Sequence, residues 1–169
     1  KDLWEKGKKK KRGYKPVQRV AHPKLPSIST RPEEINQREE KGHWEIDLVV
    51  GKDGSRPVLL TMVERNTRKR QFRETFKTIT TDNGSEFLEY DKLVKSVHGG
   101  ERFRVYYCHS YSAWEKGSNE NMNRMIRRWF PKGTDFSKVP KKEIAALQDW
   151  MDHYPRKILG WKCPAEIGL

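Results

Sequence analysis

From Trp44 to Val50 the chain alternates: Trp44, Ile46, Leu48 and Val50 fall on one side, Glu45, Asp47 and Val49 on the other. A period of two predicts a strand over 44–50. Lys52-Asp53-Gly54-Ser55 supplies a hairpin turn, and a partner strand follows over 57–64. A short strand over 69–73, a β-rich run over 76–81 that ends at Asp82, and a strand over 103–108 complete a set of five. Helical spacing takes over in 86–98, through Phe87, Tyr90, Leu93, Val94 and Val97, until Gly99-Gly100 stops it. Over 119–130, Met122, Met125, Ile126, Trp129 and Phe130 form one stripe, while Glu120, Asn123, Arg124 and Arg127 lie opposite. Ser118 is the expected N-cap of that helix. A last helix over 141–154 buries Ile144, Leu147, Trp150 or Met151, and Tyr154, and Pro155 ends it.

Ahead of these elements, residues 13–41 hold Pro16, Pro23, Pro26 and Pro32 and no sustained period. They read as an extended linker with one helical turn over 32–40, the globular part starting near Gly42. Strands first, then helices mixed with strands, predict an α/β fold with a central sheet flanked by helices. One interval resists this picture. Only 34 residues separate Asp47 from Asp82, with no helical pattern near Arg73, whereas a crossover between parallel strands needs a helix. The expectation is a missing segment near residues 73–76.

Charge changes the picture next. The 169 residues carry a formal charge of +13, and the first thirty hold ten Lys/Arg against two acids, +8, leaving +5 for the rest. Lys8, Lys9, Lys10, Lys11 and Arg12 form an unbroken cationic run, expected to act with Arg19 and Lys24 as an arm that tracks a phosphate backbone or crosses to a second subunit. Residues 1–41 are thus a basic arm and linker. No apolar anchor accompanies the run, which argues against a membrane partner. No apolar stretch is long enough to span a bilayer, and the first residues lack the apolar core of a signal peptide, so a cytoplasmic, nucleoid-associated protein is expected. Cys108 and Cys163 stand apart and indicate neither a disulfide framework nor a zinc site. The five histidines are scattered singly. The chain starts at Lys and enters polar sequence directly, so it reads as a fragment of a longer protein.

In so basic a chain, three acids stand out: Asp47 in a strand, Asp82 in Thr81-Asp82-Asn83-Gly84 at a strand end, and Glu120 in the first turn of a helix. Acids at such places are costly unless a cation or a reaction uses them. Two hard divalent cations held by carboxylate oxygens can activate a water or hydroxyl and stabilise the leaving 3′ oxygen at phosphorus. Asp47 would bridge both ions, with Asp82 and Glu120 each binding one. Each acid alone reads more simply as a turn former or a helix-dipole complement.

The motifs narrow this further. His43-Trp44-Glu45-x-Asp47-Leu48-Val49-x-Gly51, Val63-Glu64-Arg65-x-Thr67-Arg68, Thr78-Ile79-Thr80-x-Asp82-Asn83-Gly84-x-Glu86-Phe87 and Tyr111-Ser112-x-Trp114-Glu115-Lys116-Gly117-Ser118-Asn119-Glu120-Asn121 resemble the catalytic core of bacterial insertion-sequence transposases of the "thirty" family. Arg127-Arg128-x-Phe130-Pro131-Lys132-Gly133-Thr134-Asp135-Phe136 and Pro155-Arg156-Lys157-x-Leu159-Gly160-Trp161-x-x-Pro164-x-Glu166 continue the likeness, which runs from about Ser29 to the end.

The resemblance implies a ribonuclease H-like, integrase-type α/β domain over 42–169, built on a mixed five-stranded sheet with a C-terminal helical segment. It implies a DDE triad of Asp47, Asp82 and Glu120 holding two Mg²⁺, with Mn²⁺ as substitute. The implied reaction cuts double-stranded DNA at the element's ends and joins a 3′-hydroxyl to target DNA, within a homodimer. In this family an upstream helix-turn-helix region reads the terminal repeats, and the chain departs from the pattern in lacking it. The interval from Asp82 to Glu120 is slightly long, which places a loop extension near 98–102.

Other residues take roles beside this triad. Lys116, Asn119, Arg124 and Arg127 are candidate DNA contacts. Glu45 is expected to pair with an arginine rather than a metal, Trp114 to cover the core rather than wedge against a base, and Asn119 and Asn121 to orient Glu120 or touch the backbone. Two other readings stand beside the transposase: a ribonuclease H-like nuclease, recognisable by cut but unjoined ends, and a basic DNA-binding module whose acids hold no metal.

Overall fold

The computed structural model describes residues 25–53, 57–67, 76–96, 98–110 and 112–167. Its frame is a four-stranded mixed sheet in the order β2-β1-β3-β4, with β1 at His43–Val50, β2 at Val58–Glu64, β3 at Thr78–Thr81 and β4 at Arg104–Tyr107. β2 runs antiparallel to β1, and Val50 opposite Val58 closes their hairpin register. β3 lies parallel to β1 on its other edge, and β4 parallel to β3. The strand expected over 69–73, residues 73–75 of the expected missing segment near 73–76 and the cationic run of residues 8–12 with Arg19 lie outside the described residues.

β2 returns the chain to the end of the sheet where β1 began, and β3 starts from that same end. Gly42 is the junction. Its N–H is accepted by Glu64 Oε1 at 3.2 Å, and its carbonyl accepts from the N–H groups of Lys77 at 2.8 Å and Thr78 at 3.3 Å. The backbone there has φ +100°, which favours glycine.

Alternation along β1 sorts the two cores, as a pleated strand must. Val49 joins Leu59 and Val63 of β2 against Met122, Met125, Ile126, Phe130, Phe136, Leu147 and Met151. These come from α3 (Gly117–Trp129), α4 (Lys141–Asp152) and the link between them. Trp44 and Ile46 instead pack with Ile79, Val105 and Tyr107 against Phe87 and Val94, the latter in α2 (Tyr90–Val94). Gly51 ends β1 where a Cβ would meet the Thr134 carbonyl at 2.5 Å, so the turn after α3 can close onto the hairpin.

Boundaries differ from the periodic reading in instructive places. α2 covers only Tyr90–Val94, because Lys95 turns extended and bridges Glu101 around the Gly99-Gly100 bend. α3 starts at Gly117, so Ser118 sits inside its first turn instead of capping it. α4 ends at Asp152, leaving Tyr154 37% exposed. The proline-rich segment carries α1 (Glu33–Gln37), and from Leu25 onward it is not a free linker. The Pro26 carbonyl accepts from Tyr107 N–H at 2.8 Å, and Ser27 forms a parallel bridge with Tyr107 on the open edge of β4. Near the end, α5 spans Pro164–Ile167. Among the described residues, no helix is long and apolar enough to cross a membrane.

Candidate active site

The pairing of β1 with β3 sets the site. His43 faces Thr78, Trp44 faces Ile79 and Glu45 faces Thr80, an offset of 35 positions. Carried two residues on, the same offset sets Asp47 opposite Asp82, and a period of two keeps both on the face of Glu45 and Thr80. Acids far apart in sequence are thereby neighbours at the carboxyl end of adjacent parallel strands. Open α/β sheets place their ligand sites at that end.

The two carboxylates share one cation. Lys116 Nζ lies 3.0 Å from Asp47 Oδ1 and 2.8 Å from Asp82 Oδ2. The residue is only 5% exposed. Burial alone would pull its pKa down, but the hydrogen bond and charge of Asp82 and those of Asp47 outweigh burial and leave it raised. Asn123 Nδ2 donates to Asp47 Oδ2 at 2.8 Å, and Leu48 N–H donates to Oδ1 at 3.0 Å. Asp82 Oδ1 accepts from Gly84 N–H at 3.1 Å, the turn expected of Asp-Asn-Gly. Asn83 Nδ2 ties that turn to the Cys108 carbonyl at 2.9 Å.

The start of α3 is fixed from beneath by Glu45, which is fully buried. One oxygen takes Arg65 Nη1 at 2.8 Å and Ser118 Oγ at 3.0 Å, and the other accepts the Asn119 backbone N–H at 3.0 Å. A carboxylate at a helix N-terminus satisfies an otherwise unpaired N–H and complements the dipole. The expected arginine partner of Glu45 is therefore Arg65, and its second role as anchor of α3 was not foreseen.

The third acid stands apart. Glu120 is exposed, in the first turn of α3, one helical turn before the Asn123 that touches Asp47. Among the described residues, no three of His, Cys, Asp and Glu form a group able to hold a metal. Asp47 and Asp82 are joined through Lys116, a contact in which Glu120 takes no part. The donor set of the joined pair fits a hard cation, since its two carboxylate oxygens already hold an ammonium between them.

The proposed DNA contacts divide. Arg124 is exposed and bonds Asn121 Oδ1 at 3.1 Å. Arg127 Nη2 donates to the Val50 carbonyl at 2.7 Å, tying α3 to the hairpin. Lys116 is committed to the two aspartates and not to the surface. Asn119, expected beside DNA, is fully buried, and neither its Nδ2 nor its Oδ1 has a partner in the structure. Trp114, expected to cover the core, is 72% exposed, because the 3-10 turn Ala113–Lys116 points it away while burying Lys116. Sequence reasoning missed Lys116 as the partner of the acids and Asn123 as a ligand of Asp47. Asn123 was legible in principle, sharing with Glu120 the polar face of one helix; a lysine that folds inward carries no such signal.

No family model matches the chain. It is 33% identical to the transposase for insertion sequence element IS4351 of Bacteroides fragilis, over 92% of this chain and 53% of that protein. Against the transposase for insertion sequence element IS1086 of Cupriavidus metallidurans it is 31% identical, over 86% of this chain and 48% of the relative. It is 30% identical to the transposase InsI for insertion sequence element IS30A of Escherichia coli (strain K12), over 83% of this chain and 41% of the relative. The chain thus spans about half the length of the curated relatives it matches.

Proposed function

Because the chain belongs to the bacterial insertion-sequence transposases, those of the "thirty" family among them, we propose that it is the catalytic core of such an enzyme. It cleaves phosphodiester bonds at the ends of an insertion sequence and joins the 3′-hydroxyl to target DNA, with a second copy of the chain on the same DNA. One observation carries this reading: the parallel register of β1 and β3 sets Asp47 and Asp82 within reach of a single cation, Lys116 Nζ at 3.0 and 2.8 Å. Two converging carboxylates support a reading as metal-assisted phosphoryl transfer on a polyanionic substrate.

In this reading Asp47 and Asp82 hold Mg²⁺, or Mn²⁺ in its place, and Glu120 from α3 completes the ligand set of a ribonuclease H-like DDE site. Held by these acids, such ions would supply charge to polarise a phosphate and lower the pKa of an attacking water or hydroxyl. The chain's own groups position the acids. Asn123 and Leu48 N–H orient Asp47, Gly84 N–H orients Asp82, and Glu45 with Arg65 fixes the helix that presents Glu120. Asp47→Asn keeps the shape and removes the charge. It should reduce strand transfer to background while DNA affinity, measured by gel shift, stays within about twofold of wild type; retained joining would remove Asp47 from the mechanism. Joined products separate a transposase from a nuclease, which leaves free cut ends.

A further inference from the structure

Lys116 is what the sheet register alone does not explain. Two carboxylates set side by side repel each other, and a shared ammonium removes that repulsion. The 3-10 turn that bears it is pinned at both sides. Glu115 accepts His109 N–H at 2.8 Å and pairs with His109 Nδ1 at 2.7 Å. On the other side, Glu45 holds Ser118 and Asn119. The backbone of Lys116 is thus fixed, whereas its ammonium rides on a flexible four-carbon stem and can leave without moving α3. Asn123 holds Oδ2 of Asp47 and the Leu48 N–H holds Oδ1, so the carboxylate would keep its orientation if the cation at Oδ1 were exchanged.

We propose that Lys116 is an internal competitor for the divalent-ion site, its ammonium holding Asp47 and Asp82 together until a divalent cation takes them. The inference rests on the reading of those aspartates as ion-binding acids. A competitor that must be displaced lowers the apparent affinity for the ion by the fraction of molecules in which the site is open. The displaced ammonium remains within one side-chain length of the acids, where it meets a phosphate bound beside them. Lys116 is therefore a positioning residue that keeps the carboxylates preformed before the ion arrives.

The test is Mn²⁺ binding to the full chain by isothermal titration, for wild type, Lys116→Met and Asp47→Asn, with circular-dichroism melting of each. Lys116→Met should bind Mn²⁺ at least about tenfold more tightly than wild type, melt at a lower temperature without Mn²⁺ and gain more from it. In the wild type, saturating Mn²⁺ should raise acylation of Lys116 by an amine-reactive ester several-fold, read by mass spectrometry, and this readout does not depend on a variant folding. If Lys116→Met binds no more tightly while Asp47→Asn abolishes binding, the competition is overturned and the ion site stands. Acylation of Lys116 unchanged by saturating Mn²⁺ also overturns it. Binding to Asp47→Asn equal to wild type, or no binding to any of the three, overturns the reading of the acids and this inference with it.

Discussion

At the scale of single residues, burial decides which groups are available. Cys108 is 4% exposed at the end of β4, and burial pushes its thiol up to about 12 from an ordinary 9.0. Tyr107, whose hydroxyl donates to the Phe87 carbonyl, is pushed by burial up to about 12 from 10.0. For an acid whose folded pKa lies above its unfolded value, the stabilising contribution is complete below the unfolded pKa and is lost as pH rises through the folded one. Resistance to urea should therefore hold up to about pH 9 and fall progressively towards pH 12. Unfolding midpoints that stay level across that interval would contradict the burial of both groups. The aspartates and their surroundings show how far residue types alone can be read: Asp47 and Asp82 stand out in a basic sequence as acids at strand positions, but the identity of their partner depends on how one lysine folds inward.

At the scale of elements, the start of α3 is anchored on β1 by Glu45, itself held in a buried ion pair with Arg65. Glu45 and Arg65 are 0% and 3% exposed, and removing one partner of such a pair leaves a buried charge without compensation. Glu45→Ala should cost about 3–5 kcal/mol in urea unfolding and release the first turn of α3, raising amide hydrogen exchange at Asn119; Asp149→Ala, on the exposed face of α4, serves as the neutral control. What was legible here was periodicity. The stripe of Met122, Met125, Ile126 and Phe130 places α3 to within two residues, and the alternation of β1 yields both faces of the sheet. What was not legible were events set by distant partners. Helix α2 stops early because Lys95 finds Glu101, and α3 starts early because Glu45 accepts the Asn119 N–H and the Ser118 hydroxyl. The proline-rich segment from Leu25 packs on the edge of β4, where Tyr107 N–H needs an acceptor that local pattern cannot supply.

For the whole molecule, charge divides between a basic N-terminal stretch and a nearly balanced body. The Pro26 carbonyl belongs to the fold through Tyr107, and a deletion of residues 1–24 retains that contact. Those residues carry ten Lys/Arg against two acids. The slope of log affinity for duplex DNA against log salt should flatten by roughly 0.9 for every phosphate contact the deleted cations made; a slope unchanged by deletion would move the DNA contacts onto the body. The junction at Gly42 bears on the body in a different way. Chain leaves it at Glu64 and Thr67, the latter secured through its N–H to Glu64 at 2.6 Å, and rejoins it at Lys77. Exit and re-entry are clamped to one glycine, so the starts of β1 and β3 and the end of β2 share a single pivot, and a side chain there, at φ +100°, would strain all three strands together.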